Sequence, residues 1–587
     1  MRRRREAAQP SAVRGWFVAD APDYRHRGTW LALAFAAMAV TLCARLFDVQ
    51  VLQHATLAAK AAALHQKSVT IAATRGRILD SSGRVLVSNR TVYDVYADPG
   101  LISVDSRADV ARQLAPVLSQ DVTAVDALIS EPTRFVYLAK AVSQQVSDRL
   151  NALGLPGVVV VPAEQRVYEP SAVPGTSFAA NLLGYVNADG TGQYGIEGYY
   201  DTVLRGTDGQ QSTVRDVAGN SITLSNDPQS AAHDGEDLQL GLDSEVQYWA
   251  EQAIAQGVAK AQAASGTLLV MDTKTGAIRA WAQAPTYDAN SYSSSPIADF
   301  RDLGISNVYE PGSVEKLVTF GGALNSGAIT PGYTFNEGPT TIDGATIRDW
   351  DNRAHGNITM QKVLDDSLNN GAIKAAQLMG ANAFYSNLLA FGIGLSTGVD
   401  LAGEQNVPLP SQSTLSPLDL AEAAFGQRVQ VTPVEMLAAI NAIANGGVWV
   451  QPHAVQAVID PSTGRSAVVV PTTRRVISAT AAATLAQMMT GVVEDRGAEG
   501  SAAKIAGFTG EVAGKTGTAS VAVNGRYGSN VIVSFGGFLP AKNPQFTMLV
   551  VLNYPQENSI VRFGSTLAAP IWKQLAQVAI DQWRITP

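Results

Sequence analysis

The stretch YEPGSVEK, Tyr309 to Lys316, places a serine and a lysine three residues apart, directly after Pro311 and Gly312. Residues three apart are neighbours on one face of a helix, so the Lys316 amine can reach the Ser313 hydroxyl if a helix begins here. Two interpretations are open at this point. The pair is a nucleophile with its base, or Ser313 is an ordinary helix N-cap followed by a solvated lysine.

Two further short motifs follow in the chain. DDSLNNG contains Ser367, Leu368 and Asn369 in a region with a helical pattern, and GKTGTAS contains Lys515 to Thr518 just before a β-rich run. Each motif is weak alone, because Lys-Thr-Gly is common in turns and Ser-x-Asn is common on polar surfaces. Their order is specific, because Ser-x-x-Lys, Ser-x-Asn and Lys-Thr-Gly form the active-site set of penicillin-binding proteins and serine β-lactamases.

The first two motifs supply the parts of an acyl-transfer site. A serine hydroxyl is a weak nucleophile at its ordinary pKa and needs a base. Lys316 can be the base for Ser313 if burial and the positive charge of Lys515 lower the pKa of Lys316. We expect Ser367 to relay a proton to a leaving or arriving amine, and Asn369 to hold an amide of the substrate.

The third motif suits a substrate carboxylate. We expect Lys515 and the hydroxyl groups of Thr516 and Thr518 to bind that carboxylate. Gly517 has no Cβ, so a ligand backbone can lie along this strand and pair with it. The backbone N–H groups of Ser313 and Thr518 are expected to form the oxyanion hole.

Composition and charge argue against several other classes of protein. The 587 residues are 46% hydrophobic and 16% charged, with a formal net charge of −8, which argues against a general nucleic-acid binder. The single cysteine, Cys43, excludes an intrachain disulfide. The six histidines are scattered without a metal-ligand pair at helical spacing, so we predict no metal site.

The N-terminal region predicts a membrane anchor. An arginine-rich tail, residues 1–28, precedes the apolar segment TWLALAFAAMAVTLCARLFDVQVL, residues 29–52. The uninterrupted apolar part is shorter than the about 20 residues that span a bilayer, so its ends must lie in the interface, where Arg45 can snorkel. A cleaved signal peptide is the alternative. Because seven arginines precede the segment and few basic residues follow it closely, we expect the tail in the cytoplasm and the rest outside.

The remaining sequence predicts an α+β protein. Short strand patterns separated by turns follow the anchor, with paired helices predicted over residues 101–155. The second half begins with a helix and a hairpin at Thr275 and Gly276, continues with helical segments, and ends in β-rich runs and a last helix. Strands at both ends with helices between them predict one antiparallel sheet surrounded by helices. The predicted regions are a cytoplasmic tail (1–28), a transmembrane helix (29–52), an elongated β-rich pedestal domain (53–237) and a catalytic domain (238–587).

The chain resembles the class B penicillin-binding proteins, which are peptidoglycan D,D-transpeptidases, over nearly all of its length after residue 28. TRGRILDSSGRVLVSN, with Arg75, Gly76 and Asp80, is similar to the family's first pedestal motif, and RVYEP and GIEGYYDTVLRGTDG are similar to the pedestal motifs that follow. VTPVEMLAAINAIANGG resembles the helix after the second active-site motif, and FGGFLP resembles the strand after the third.

Three residues depart from the family pattern. Val314 and Glu315 replace the Thr-Phe or Thr-Met that is common inside the nucleophile motif, and Glu169 is an additional residue in RVYEP. Glu315 puts a carboxylate beside Lys316 in sequence. Because adjacent helix residues face apart, we expect this carboxylate to point away from the site.

The resemblance implies a single-pass enzyme of the bacterial plasma membrane that cross-links the wall. Ser313 is expected to attack stem peptides ending in D-Ala-D-Ala, and β-lactams are expected to acylate the same serine as inhibitors. The resemblance implies no metal and no organic cofactor. The expected partners are a SEDS-type glycan polymerase and division-complex membrane proteins. The turn VYADP favours the septal, FtsI-type branch of the family.

Several other functions share parts of this pattern. An elongation-type transpeptidase carries the same motifs, and a non-catalytic division scaffold keeps the fold. A serine β-lactamase needs a deacylating base, but Glu404 and Asn406 in LAGEQNVPLP lack that enzyme's spacing. A D,D-carboxypeptidase usually lacks the pedestal. A bifunctional synthase needs a glycosyltransferase domain, and residues 53–237 show no paired-Glu signature for one.

Overall fold

The structure is a computed structural model. It describes residues 24–215, 221–222, 228–495, 497–523, 526–556 and 562–587. Most of the predicted cytoplasmic tail lies outside these residues. The chain divides into two compact units, one made of residues 1–71 with 209–231 and the other of residues 72–208 with 232–587.

The first unit contains the apolar N-terminal helix. Helix Tyr24–Phe47 continues through a π-helical turn, Asp48–Leu52, and so covers the predicted transmembrane segment. Residues 27–52 have a mean hydropathy of 1.9 over their most apolar window and are long and apolar enough to cross a membrane. Helix His54–His65 follows. Four strands then form a small antiparallel sheet: Gln66–Ile71, Gly209–Arg215, Ser221–Ile222 and Pro228–Ser230.

The second unit contains a seven-stranded mixed sheet that takes strands from both halves of the chain. Val85–Ala97 and Val158–Tyr168 pair antiparallel over eleven positions of register. Asp237–Leu240 pairs parallel with Ile78–Leu79 and antiparallel with Val455–Ile459. The remaining strands are Val136–Val142 and Ser466–Val468. The predicted domain boundary between residues 237 and 238 falls at the start of a strand of this sheet, and it stays a prediction.

Three helices share a core with one part of this sheet: Arg107–Leu118, Val122–Ile129 and Gln144–Leu153. The prediction of paired helices over residues 101–155 is therefore incomplete, because strand Val136–Val142 lies between the second and third helices. Val136 and Leu138 are buried while the residue between them is exposed. This period of two is the burial pattern of a strand rather than of a helix.

The three pedestal motifs meet at one buried carboxylate. Glu197 lies in the short helix Gly195–Tyr199 with no exposed surface. It accepts hydrogen bonds from Arg75 Nε at 2.8 Å and from Arg166 Nε at 2.7 Å. Arg75 also pairs with Asp201 at 2.7 Å. A buried carboxylate shared by two guanidinium groups is costly to disrupt, so Glu197 joins segments that are far apart in the sequence.

A five-stranded antiparallel sheet forms the centre of the second half. Its order is Ile278–Ala284, Ser265–Asp272, Phe546–Asn553, Arg526–Leu539 and Ala513–Val523. Strands from the start and the end of the predicted catalytic region thus share one sheet, as predicted, and the hairpin at Thr275 and Gly276 is present with Gly276 at φ +80°. The α+β fold class is confirmed.

Side chains alternate between the two faces of this sheet. Val550 and Leu552 pack with helices Ser244–Ala261 and Gly564–Trp583, whereas Leu549 and Val551 belong to the core on the other face. The helices of the second face are Lys316–Asn325, Met360–Asp365, Asn369–Met379, Ala381–Phe391, Pro417–Ala423, Pro433–Ala444 and Ala479–Glu494. Three short antiparallel strand pairs complete this half: Thr334–Glu337 with Gly356–Thr359, Thr340–Ile342 with Ala345–Ile347, and Val448–Val450 with Thr473–Arg475.

Candidate active site

The nucleophile motif is a tight turn before a buried helix. Gly312–Val314 forms a 3₁₀ turn, and the α-helix begins at Lys316. Glu315 occupies the N-cap position without a side-chain cap, and Ser313 Oγ instead accepts a hydrogen bond from Lys316 Nζ at 3.0 Å. The interpretation of Ser313 as an ordinary N-cap with a solvated lysine is therefore wrong, because Lys316 has no exposed surface.

Glycines allow close backbone packing around this turn. Gly312 has φ +55° and its N–H donates to the carbonyl of Gly426 at 3.0 Å. A Cβ on Gly426 would lie 2.0 Å from the Gly312 carbonyl oxygen, and a Cβ on Gly312 would lie 2.9 Å from the Thr518 carbonyl oxygen. The backbone of the nucleophile turn is thus held directly beside the strand that carries the third motif.

The Lys316 amine joins the first two motifs. Besides Ser313, its Nζ atom donates to the carbonyl oxygen of Ser367 at 2.5 Å and to Asn369 Oδ1 at 2.9 Å. Burial holds the pKa of Lys316 well below its ordinary value, and the positive charge of Lys515 lowers it further, against smaller opposing effects of nearby carboxylates. A lysine with a lowered pKa next to a serine hydroxyl can accept its proton.

Ser367 lies between the two lysines. Its Oγ atom is 2.8 Å from Lys515 Nζ and 3.4 Å from Lys316 Nζ. The prediction that this motif is helical is wrong for Ser367 itself, which has φ +58° in the break between helices Met360–Asp365 and Asn369–Met379. The break turns the hydroxyl and the carbonyl of Ser367 toward the lysines, which a continuous helix could not do because its carbonyls bond along its own axis.

Asp349 holds the start of the helix that carries Asn369. One carboxylate oxygen of Asp349 accepts from the backbone N–H groups of Asn369 at 2.5 Å and Asn370 at 3.1 Å. The other accepts from the Asn370 side chain at 2.9 Å. Anionic caps at a helix N-terminus satisfy its free N–H groups and favour its dipole. Asp349 therefore fixes Asn369, whose amide oxygen contacts Lys316.

A second carboxyl group supports Asp349. Burial and a hydrogen bond with Asp349 together raise the pKa of Glu337 to about 7. Ligand atoms of Glu337, Asp349 and His355 lie within 4.8 Å of one another. The sequence prediction overlooked this proximity, because these residues are not at helical spacing.

The third motif lies on strand Ala513–Val523 at the edge of the central sheet. Lys515 has no exposed surface. Thr516 is 1% exposed and its hydroxyl accepts from Lys515 Nζ at 3.1 Å. The Thr516 hydroxyl is thus buried against Lys515, and its expected contact with a substrate carboxylate stays a prediction. Thr518 does line the cleft described below.

Close packing also requires a glycine at position 517, which the sequence did not show. A Cβ on this residue would lie 2.2 Å from Ser534 Oγ and 2.9 Å from Val314 Cγ2. Val314, one of the departures from the family pattern, is itself fully buried. Gly517 therefore lets the nucleophile turn approach the edge strand closely.

Glu315, the other departure in this motif, presents no carboxylate to the cleft. It has no exposed surface, and its carboxylate oxygens have no hydrogen-bond partner among the described residues. Burial raises its pKa well above the ordinary value, and the nearby Glu435 raises it further. Glu315 is not among the residues that line the cleft described below, in agreement with the expectation that it points away from the site.

A cleft of about 550 Å³ opens over the three motifs. Its lining contains four of the predicted residues: Ser313, Ser367, Asn369 and Thr518. It also contains residues that the motifs did not indicate: Trp350, Gln427, Glu499, Ser520, Val531, Arg562, Phe563 and Ser565. The rings of Trp350 and Phe563 meet edge to face with centroids 6.1 Å apart. Apart from Ser520, which ends the stretch GKTGTAS, none of these residues belongs to a short pattern, so only the folded chain brings them to the site.

The cleft can perform acyl transfer. It combines a serine hydroxyl bonded to a buried amine, a second hydroxyl between two amines, and an edge strand beside the serine. A nucleophile, its base and a group that orients the base within hydrogen-bond reach are the signature of covalent catalysis.

Comparisons with known proteins agree with this geometry. Residues 266–577 match the family model of the penicillin binding protein transpeptidase domain, and residues 70–240 match that of the penicillin-binding protein dimerisation domain. The chain is 30% identical over 522 residues to stage V sporulation protein D of Bacillus subtilis, covering 87% of this chain and 79% of that protein. It is 30% identical over 527 residues to the peptidoglycan D,D-transpeptidase FtsI of Escherichia coli, covering 88% of this chain and 85% of that protein.

A solved structure is also similar. Penicillin binding protein 3 of Mycobacterium tuberculosis, in complex with aztreonam, superposes with a TM-score of 0.67 at 25% identity. The alignment covers 88% of this chain and 98% of that one.

Proposed function

The chain belongs to the class B penicillin-binding proteins and is a peptidoglycan D,D-transpeptidase, and we propose that Ser313 is its nucleophile with Lys316 as the general base. One observation carries this proposal: the buried Lys316 amine is 3.0 Å from Ser313 Oγ and also bonds the Ser-x-Asn motif. Ser367 also lines the cleft beside two buried lysines, but Ser313 is the serine of the Ser-x-x-Lys motif and lies one turn before its lysine.

The donor half of the reaction begins with proton transfer. Neutral Lys316 takes the proton of Ser313, whose Oγ atom attacks the carbonyl carbon of the penultimate D-Ala. The oxyanion that forms is stabilised by the backbone N–H groups of Ser313 and Thr518, which the close approach of these two segments supports. When the C–N bond breaks, the amine of the terminal D-Ala takes up the proton through Lys316 or Ser367.

The acceptor half reverses these steps. An amine of a neighbouring stem peptide loses a proton toward Ser367 and Lys316, attacks the acyl-serine carbonyl and forms the cross-link, and Ser313 regains its proton. In both halves Asn369 holds a substrate amide, and Lys515 with Thr518 binds a ligand carboxylate. Thr516 orients Lys515, since its hydroxyl accepts from that ammonium group.

The penicillin-binding domain takes peptidoglycan as substrate and β-lactams as ligands. We place the enzyme in septal wall synthesis, supported by its similarity to a protein named FtsI. Its partners in this role are a SEDS-type glycan polymerase and membrane proteins of the division complex. The apolar helix anchors the enzyme in the plasma membrane with the arginine-rich tail in the cytoplasm, which the excess of arginine before the helix supports.

Intact-protein mass spectrometry with benzylpenicillin tests the chemistry. One adduct is expected on the wild type and none on folded Ser313→Ala. Ser520→Ala, which removes another hydroxyl lining the cleft, should keep the adduct. Rapid loss of the adduct indicates a β-lactamase, and its absence from the wild type indicates a scaffold.

Depletion of the protein from its native bacterial cells tests the proposed role in septal wall synthesis. Filaments with blocked septa are expected for a septal enzyme. Rounded cells that still divide would support the elongation-type alternative.

A further inference from the structure

The Lys515 ammonium group already lies within hydrogen-bond distance of more acceptor oxygens than it has N–H donors. Its Nζ atom lies 2.8 Å from Ser367 Oγ, 3.1 Å from Glu499 Oε2, 3.1 Å from Thr516 Oγ1 and 3.3 Å from the Thr516 carbonyl oxygen. An ammonium group has three N–H donors, and Lys515 has no exposed surface that could admit a further partner freely. A ligand carboxylate can therefore bond to Lys515 only if one of these oxygens moves away.

Glu499 is the acceptor that can leave. Thr516 adjoins Lys515 in the strand, and Ser367 is held in the turn between two helices. Glu499 lies in the loop that precedes this strand, its side chain is 26% exposed, and it lines the cleft together with Ser313 and Thr518. It also carries the same charge as the ligand carboxylate, so the two repel each other beside one ammonium group.

We propose that Glu499 is a specificity-determining residue that competes with the ligand carboxylate for Lys515. This inference rests on the proposed function, because that function assigns Lys515 to carboxylate recognition. In the free enzyme Glu499 neutralises a buried ammonium. When an anionic ligand enters, its carboxylate replaces that of Glu499, which moves toward solvent at the mouth of the cleft. The exchange lowers the reactivity of anionic ligands and leaves neutral ligands unaffected.

The test uses full-length protein in detergent and two probes, benzylpenicillin and its methyl ester, which lacks the carboxylate charge. Second-order rates of Ser313 acylation are measured for the wild type and Glu499→Gln. Glutamine keeps the size of the side chain and an acceptor for Lys515, but not the charge. The rate with benzylpenicillin should rise roughly fivefold, about the worth of one well-formed ion pair near the surface. The rate with the methyl ester should change less than about twofold.

The chain offers a matched control at the last residue of helix Ala479–Glu494, just before the loop that carries Glu499. Glu494 forms an ion pair with Lys504 at 3.0 Å and does not line the cleft. Glu494→Gln makes the same chemical change and should leave both rates unaltered. This control separates the effect of losing an ion pair in this region from the effect of losing the Glu499 charge beside Lys515.

Three results overturn the proposal: an unchanged or lower rate with benzylpenicillin in folded Glu499→Gln, an equal rise with the methyl ester, or the same rise in Glu494→Gln.

If Glu499→Gln does not fold, a crystal structure of the wild type acylated by benzylpenicillin decides. The ligand carboxylate is expected at Lys515 with Glu499 beyond hydrogen-bond distance, and an intact Glu499–Lys515 pair contradicts the idea. Absence of any acylation at Ser313 refutes the proposed function as well, whereas acylation that does not depend on residue 499 refutes the competition alone.

Discussion

The Nζ atom of Lys316 lies 3.0 Å from the Oγ atom of Ser313, and the lysine side chain is completely buried. Burial makes the charged form of a lysine costly, and the positive charge of Lys515 adds to that cost. The contact therefore aligns the Ser313 hydroxyl for proton transfer. Burial and Lys515 together favour the neutral form of Lys316 more than in a lysine at the surface.

Replacing each lysine by arginine should separate a base from a fixed charge. Arginine keeps the positive charge but is not accessibly deprotonated. We expect Lys316→Arg to lower the rate of penicillin acylation about 10²-fold or more, the typical contribution of a positioned base. Lys515→Arg should keep part of the rate, because Lys515 acts while charged. Rates of folded variants measured by loss of free Ser313 test this, and a Lys316→Arg rate near that of the wild type would show that Lys316 is not the base.

The pH dependence of acylation should report Lys316. The base acts only when neutral, so the rate must fall as the pH drops through the pKa of Lys316 and rise as the pH increases through it. Because burial and Lys515 lower that pKa, the midpoint of the rising limb is expected below the ordinary lysine value of 10.5. Acylation rates of the wild type against pH provide the measurement. A rate that decreases as the pH rises over this range contradicts the assignment.

Removing the carboxylate of Asp349 should slow acylation, although this carboxylate acts through Asn369 and not by contact with substrate. Asp349 accepts from the backbone of Asn369 and Asn370, and hydrogen bonds to a charged group contribute about 1.5–3 kcal/mol. Asp349→Ala should therefore slow acylation by about 10- to 100-fold, because Asn369 loses its fixed position. Asp351→Ala, in the same loop, removes a carboxylate that does not cap this helix and should have little effect. Equal losses in both variants would point to a general disturbance of the loop.

The pedestal should depend on Glu197 far more than on Glu169. Glu197 is buried between Arg75 and Arg166, and breaking a buried ion pair costs about 3–5 kcal/mol. Glu197→Gln is expected to lower the temperature of the first unfolding transition markedly. Glu169→Gln changes an exposed side chain next to the same strand and should alter stability by about 0.5 kcal/mol or less. Thermal unfolding of both variants by calorimetry makes the comparison.

The orientation in the membrane can be read with terminal reporters. A protein that fluoresces only in the cytoplasm should light up when fused before residue 1 and stay dark when fused after residue 587, because the arginines precede the apolar helix. The reverse pattern of fluorescence would overturn the proposed topology.

The sequence was sufficient for the parts of the site that short patterns encode. Ser313, Lys316, Ser367, Asn369 and Lys515 each belong to a motif whose residue types match one chemical task, so they could be predicted without coordinates. The fold class followed from the placement of strand and helix patterns along the chain. The strand Val136–Val142 was missed because a short apolar run flanked by helices resembles part of one.

By itself, then, the sequence determined the chemical groups and their order along the chain, because a motif of a few residues is a local property. Only the tertiary structure decided which of those groups face the cleft. It buries the Thr516 hydroxyl against Lys515, turns Ser367 between the two lysines, and brings Glu499 to the same ammonium group. Burial, pKa and the sharing of donors depend on neighbours in space, which can be more than a hundred residues apart in the chain, as Ser367 and Lys515 are.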